Sequence, residues 1–171
     1  YTSAWESIAA DFNDIDSGEN ANFRQLSHET FMLNALSSPD QLRQRMTYAL
    51  SQMFVISDRF DFAGHDELMM GYADTLHRNA FGNYRDLLRE VTLHPAMGMF
   101  LAMLGNEKAD PERNIRPDEN FAREVMQLFT VGLQLLNQDG SPIIDAATNL
   151  PVQTYSPVDV QNYAAALTGW Y

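Results

Sequence analysis

The residues best suited to chemistry form a polar block between positions 119 and 124. If this stretch is helical, Glu119 and Arg123 lie one turn apart on the outer face, and Asn120 and Glu124 lie at the border of the apolar arc. A carboxylate at such a border is partly removed from water, which raises its pKa and suits acid–base catalysis or cation binding. Glu119 and Glu124 are therefore candidate catalytic residues, and Asn120 and Arg123 are candidate binding residues.

The same block also fits a structural role. Glu119 and Arg123 have the spacing of an ordinary helix ion pair, and Asn120 and Glu124 fit hydrogen bonds to a neighbouring loop. On this interpretation, replacing Glu124 by glutamine lowers the free energy of unfolding. On the catalytic interpretation, Glu124 is a general base, and Arg123 orients it or binds an anionic substrate. The sequence leaves both interpretations open.

The histidines supply no complete metal-binding motif. His28 begins a stretch like the zinc-protease motif, but Met32 stands where the second histidine must be. His65, next to two acidic residues at a predicted helix start, fits either a cation site or a solvated helix cap. His94 precedes a proline and is predicted to end a helix and bond its free carbonyls. The sequence therefore assigns no metal ligand and identifies no cofactor.

Acidic residues also surround two predicted turns near position 140. Asn137, Asp139 and Asp145 suggest calcium, but the EF-hand template fails because Gly140 would place Leu135 at the first ligand position. An acidic turn is the preferred interpretation here.

Composition excludes several classes of protein. The chain has 171 residues and a formal net charge of -12, so its surface repels nucleic acid. Because it has no cysteine, disulfides, thiolate metal sites and cysteine nucleophiles are excluded. No apolar run approaches the roughly 18–20 residues that a membrane span needs. The chain opens at Tyr1 with no signal peptide, and we expect both ends to be truncated relative to a longer protein.

Apolar spacing and helix-capping residues predict the elements that position the polar block. Ser38, Asn83 and Ser156 read as N-caps, each followed by an acidic residue in the first turn. Apolar residues then recur at three- and four-residue spacing. Helices are predicted at about 22–36, 39–57, 66–80, 84–94, 95–105, 117–132 and 157–169.

Residues 135–155 break the helical pattern. Two turn signals, at Asn137 to Gly140 and at Thr148 to Pro151, flank a short β-branched stretch. The predicted fold is all-α, a multi-helix orthogonal bundle with one small β-hairpin excursion near residues 135–155. We expect residues 1–171 to form a single helical domain or part of one.

Several stretches of the chain resemble the bacterial family known as domain of unknown function 1800. They are residues 40–46 with 49–52, residues 79–88 with 94–97, residues 116–124 with 128–130, and residues 166–170. The resemblance covers most of residues 22–171 and implies a central segment of a longer, exported bacterial protein. Such proteins are often encoded beside a sulfatase-like family. The resemblance implies no activity.

The leading functional hypothesis is a scaffold or interaction protein at the cell envelope or surface. Its expected partners are the product of the neighbouring sulfatase-like gene and the rest of its own chain. We expect no nucleic-acid partner and no membrane span in this segment. The alternative is an exported, metal-assisted hydrolase that uses the block of Glu119, Asn120, Arg123 and Glu124.

Overall fold

The protein is mostly helical, as the sequence predicts. A computed structural model describes residues 23–57 and 67–171, with side chains from residue 27 onward in the first helix. The helices of these ranges are α1 (Phe23–Ser37), α2 (Gln41–Met53), α3 (Glu67–Arg78), α4 (Tyr84–Leu93), α5 (Pro95–Phe100), α6 (Asn120–Gln127) and α7 (Pro157–Ala166). The cation site or cap predicted at His65 lies outside the described residues.

The chain divides into two compact units, Tyr1–Phe100 and Leu101–Tyr171. Helices α1 to α5 belong to the first unit, and α6 and α7 belong to the second. The single helical domain expected from the sequence, and the orthogonal packing of its helices, stay predictions.

The first unit buries the apolar faces of α3 and α4, whereas α2 buries Gln44, Thr47 and Leu50 and leaves Leu42, Met46 and Met53 exposed. Phe54, Leu76 and Val91 are almost fully enclosed, and their removal from water is the main stabilising contribution. Helix α2 begins later than predicted, at Gln41, and its N-cap is Asp40. The Ser38 hydroxyl does not cap the helix because it donates to the Asp40 carboxylate instead.

The ends of α4 show one confirmed prediction and one difference. Asn83 caps the helix as predicted, with its side-chain oxygen accepting the Arg85 N–H at 2.9 Å. His94 ends the helix, but its ring does not bond the carbonyls of α4. Its Nδ1 accepts the Ala96 N–H at 3.2 Å, and the ring also hydrogen-bonds the Gly71 backbone in α3. The ring therefore links three helices.

In the second unit, α6 packs against α7. Ala122, Val160 and Ala164 form the buried contact, and Tyr155 lies at its edge. Ser156 and Asp159 make the predicted capping box at the start of α7. Helix α6 is shorter than predicted, since it covers Asn120–Gln127 rather than 117–132.

The predicted β-hairpin at 135–155 is not confirmed. Three short segments pair with one another instead, each pair through one isolated β-bridge. We call them the three-segment ring, which consists of residues 133–136, 142–144 and 150–153. Its backbone hydrogen bonds run from the Leu135 N–H to the Val152 carbonyl (2.9 Å), from Val152 to Ile143 (2.9 Å) and from Ile143 to Leu135 (2.8 Å). Pro142 and Pro151 occupy paired positions and lack the N–H that a longer ladder needs, so regular strands do not form.

Candidate functional site

Glu119 and Arg123, the outer pair of the polar block, form an exposed ion pair. Glu119 Oε2 lies 2.6 Å from Arg123 Nη2, and the two side chains are 34% and 47% exposed. Pairs at this spacing and exposure stabilise a helix by a few tenths of a kcal/mol. Asn120 is also exposed, so three of the four predicted site residues lie on the open side of α6.

Glu124 has a different environment. Its Oε2 atom is buried and makes no hydrogen bond to any residue in the described ranges. Its backbone carbonyl accepts the N–H groups of Leu128 and Phe129, and the residue as a whole is half-buried, so the observation concerns the Oε2 atom alone. Buried polar atoms are nearly always paired, and an exception calls for a functional or structural explanation. The structure thus separates Glu124 from the surface pair.

Asn106 positions the start of α6, a role that the sequence analysis missed. Its side-chain oxygen accepts the Asp118 N–H at 2.8 Å, and its Nδ2 donates to the Asp118 carbonyl at 3.1 Å. The Asn106 carbonyl accepts the Gly169 N–H at 3.0 Å. Asp118 in turn accepts the first amide of α6, from Asn120, at 2.8 Å. Asn106 lies in a charged loop that has no apolar periodicity. The only sequence signal for this contact was an amide side chain that can both donate and accept a hydrogen bond.

The first unit contains a second polar cluster that sequence reasoning missed. His77 Nε2 lies 3.1 Å from Asp40 Oδ2 and 3.1 Å from the Gln44 side-chain nitrogen. Gln44 also donates to Asp40 Oδ1 at 3.1 Å. Arg43 donates to the His77 backbone carbonyl at 3.0 Å and stacks over the Phe81 ring at 4.9 Å. The sequence signal that could have indicated this cluster is a three- and four-residue spacing, which places Asp40, Arg43 and Gln44 on one face of a helix.

This cluster lacks the order of a hydrolytic triad. In such a triad the nucleophile contacts the histidine, whereas the Ser38 hydroxyl donates to Asp40. Burial lowers the pKa of His77, against the opposing effect of the Asp40 carboxylate. The hydrogen bond from Ser38 lowers the pKa of Asp40. The cluster therefore links α2 to the end of α3 through a largely buried histidine and a charged aspartate.

Comparison with known proteins supplies the family. The model of the family described as "Protein of unknown function (DUF1800)" matches residues 3–171. The chain belongs to the DUF1800 family. No curated protein and no solved structure matches it. The stretches that resemble the family contain residues of both the His77 cluster and the polar block. Residues 40–46 and 79–88 contact each other through Arg43 and Phe81. Residues 116–124 include the start of α6.

Neither a cluster that could hold a metal ion nor a membrane-spanning helix occurs in the described parts of this DUF1800 protein. Across residues 23–57 and 67–171, no three histidine, aspartate or glutamate side chains group in a way that could hold a metal ion. Within the same ranges, every helix is too short or too polar to cross a membrane.

An apolar cleft of about 380 Å³ lies among α1, α2 and α3. Its volume is within the range of small-molecule sites, roughly 300–1,000 Å³. Three hydroxyl groups in its wall already donate to backbone carbonyls: Thr47 to Arg43, Ser51 to Tyr48 and Tyr72 to Phe54. The cleft therefore offers mainly hydrocarbon contacts.

The three-segment ring carries a group of exposed aliphatic side chains, which we call the aliphatic surface. Each is between 37% and 63% exposed: Leu133, Leu135, Leu136, Ile143, Ile144 and Leu150. The segments that bear them are hydrogen-bonded to one another, so all six side chains belong to one small region of the second unit. Within Leu135–Leu136 and Ile143–Ile144, neighbouring side chains of an extended segment point to opposite faces of the ring. A concentration of exposed aliphatic side chains in one region is a feature of interaction sites in soluble proteins.

Proposed function

We propose that this DUF1800 protein is a scaffold or interaction protein, exported and acting at the cell envelope or surface, which binds another protein. The aliphatic surface carries the proposal. Isolated exposed leucines are ordinary, but six large aliphatic side chains on one small ring leave substantial apolar area in water. A bound partner protein removes that area from water. Export is supported by the family resemblance.

The polar block of α6 supports the same proposal. Glu119 and Arg123 pair with each other in the open, an arrangement that stabilises a helix and leaves neither group poised for acid–base chemistry. Asn106 and Asp118 fix the start of the same helix by backbone hydrogen bonds. The family-like sequence around α6 is therefore accounted for largely by the folding of the second unit.

Site-specific photo-crosslinking in the native cells tests the interaction role. A photoreactive residue at Leu136 or Leu150 should give one discrete adduct with another protein, found in the envelope or surface fraction. The same residue at the exposed Glu112 is the matched control and should give none. Adding Ile144→Ser should weaken the adduct. A chain that crosslinks to nothing from either leucine would contradict the proposal.

The second candidate function is a hydrolase, and one observation favours it. The Glu124 Oε2 atom is buried without a hydrogen bond to a described residue, as a general base without its substrate or water can be. In this scheme Glu124 takes a proton from the attacking water, and Arg123 binds an anionic part of the substrate.

Glu124→Gln distinguishes the two candidates. A variant with an unchanged melting temperature and a lost cellular phenotype supports the hydrolase, and a retained phenotype supports the scaffold. Elemental analysis of the protein purified without chelator tests the metal-assisted form. A stoichiometric metal supports that form, and a metal-free active protein contradicts it.

A further inference from the structure

The charged residues within the three-segment ring and its turns, residues 133–153, are of one sign. No lysine, arginine or histidine follows Arg123, and the later charged side chains are Glu124, Asp139, Asp145 and Asp159. Two of these, Asp139 and Asp145, lie on the two turns of the three-segment ring. The turns are closed by hydrogen bonds from Gly140 to Asn137 (3.0 Å) and from Asn149 to Asp145 (2.9 Å). The three-segment ring thus carries a carboxylate on each of its two turns and contains no cation.

Each turn aspartate is held in place by its own loop. Asp139 Oδ1 accepts the Ser141 N–H at 2.9 Å and its hydroxyl at 2.6 Å. Asp145 Oδ1 accepts the N–H groups of Ala147 at 2.8 Å and Thr148 at 2.9 Å. These bonds lower the pKa of both carboxyls, which consequently stay charged at neutral pH. Fixed charges at defined positions favour one kind of partner over another.

This charge pattern disfavours two other occupants on physical grounds. A second copy of the chain would bring its own turn carboxylates to the same interface, and like charges there oppose binding. An anionic lipid surface attracts lysine and arginine and repels carboxylates. A protein with cations around its apolar face meets no such repulsion.

We propose that the aliphatic surface binds a partner protein whose apolar face is bordered by lysine or arginine, with Asp139 and Asp145 contacting those cations. The inference rests on the proposed interaction function and specifies the chemistry of the partner. Leucine and isoleucine side chains supply the buried area, and the two carboxylates select the partner and its orientation.

Two synthetic peptides serve as probes. One is an amphipathic 14-residue helix of leucine and lysine, and its counterpart has glutamate in place of every lysine. Binding of each labelled peptide to the 171-residue chain is measured by fluorescence anisotropy at low and high salt. We expect the lysine peptide to bind at least about tenfold more tightly at low salt, and the difference to shrink at high salt.

Variants separate a local effect from the general acidity of the chain. Asp139→Asn and Asp145→Asn keep the oxygen that accepts the turn amides and remove the charge. Exposed charge pairs correspond to about threefold in affinity each, so the double variant should bind the lysine peptide about tenfold more weakly. Glu112→Gln, which matches the change of charge of either single aspartate variant but lies on another loop, should leave binding unchanged. Leu136→Ser with Leu150→Ser should weaken it by at least about tenfold.

The other outcomes overturn the inference in distinguishable ways. Equal affinity for both peptides, still lost in the leucine variant, leaves the interaction function standing and removes the charge selection. Binding that ignores both the aspartate and the leucine changes reflects net charge alone. Self-association abolished by the leucine changes makes a second copy the occupant, and binding to phosphatidylglycerol vesicles makes it a lipid. No binding at all, together with no cellular crosslink, contradicts the proposed function as well.

Discussion

Replacing Glu124 by methionine should stabilise the protein. The buried Oε2 atom has no hydrogen-bond partner in the described part of the chain, so removing the carboxylate breaks no such bond. Burying a polar atom without a partner costs about 1–3 kcal/mol, and an apolar side chain of similar length recovers that cost. We therefore expect Glu124→Met to raise the free energy of unfolding by about 1–3 kcal/mol. Glu124→Gln, which keeps an unpaired polar atom, should change it by less than about 1 kcal/mol.

This prediction is opposite to the structural interpretation of the sequence, in which Glu124 hydrogen-bonds a neighbouring loop and its replacement by glutamine lowers the free energy of unfolding. Urea unfolding followed by far-ultraviolet circular dichroism gives the required free energies, provided the slope with denaturant is unchanged. Glu119→Gln is the matched control on the same helix. It breaks an exposed ion pair and should cost less than about 1 kcal/mol.

A loss of stability in Glu124→Met would refute the reasoning. It would mean that the carboxylate is bonded in solution to a group outside the described residues, and the network interpretation would then be correct. A gain in stability would confirm that the Glu124 carboxylate is buried at a cost to the fold.

Three further outcomes follow from other contacts. Asn106→Ala should lower the free energy of unfolding by about 1–3 kcal/mol because it removes both hydrogen bonds to the Asp118 backbone; equal denaturation midpoints would contradict this. Arg43→Lys should cost about 1 kcal/mol through the lost stacking and carbonyl bond, with the exposed Arg45→Lys as control in the same melting assay. Burial lowers the pKa of His94 below 6.5, so the unfolded chain binds its proton more readily. Stability should be full above that value and fall as the pH drops below it, and urea titrations across pH 5–8 should show a shallower fall for His94→Gln.

The sequence predicted helices well wherever apolar spacing and a cap agreed. Asn83 and Ser156 cap their helices as expected, because the capping bond is local and depends on few neighbours. The prediction that Ser38 caps α2 was wrong because its hydroxyl donates to the Asp40 carboxylate instead. A capping pattern does not show which of two possible partners a hydroxyl will choose. The predicted hairpin is not confirmed, although turns occur where the sequence predicted them. Prolines occupy two of the paired positions and prevent a regular ladder of hydrogen bonds.

The candidate site was predicted only in part. The helical spacing of Glu119 and Arg123 correctly indicated their ion pair, because residues one turn apart are neighbours in any helix. The links from Asn106 to Asp118 and from His77 to Asp40 join residues that are distant in sequence. Such contacts depend on how the elements pack, and one sequence without its relatives does not specify them.

Asn106 also has a consequence for biosynthesis. Its carbonyl accepts the Gly169 N–H, and the neighbouring Gly105 N–H donates to the Trp170 carbonyl at 2.8 Å. These bonds join segments from opposite ends of the second unit. They cannot form until the ribosome has released the chain beyond Trp170, so α6 emerges from the tunnel well before the contacts that complete its unit. During that interval the buried face of α6, formed by Phe121, Ala122 and Val125, is exposed to chaperones and proteases.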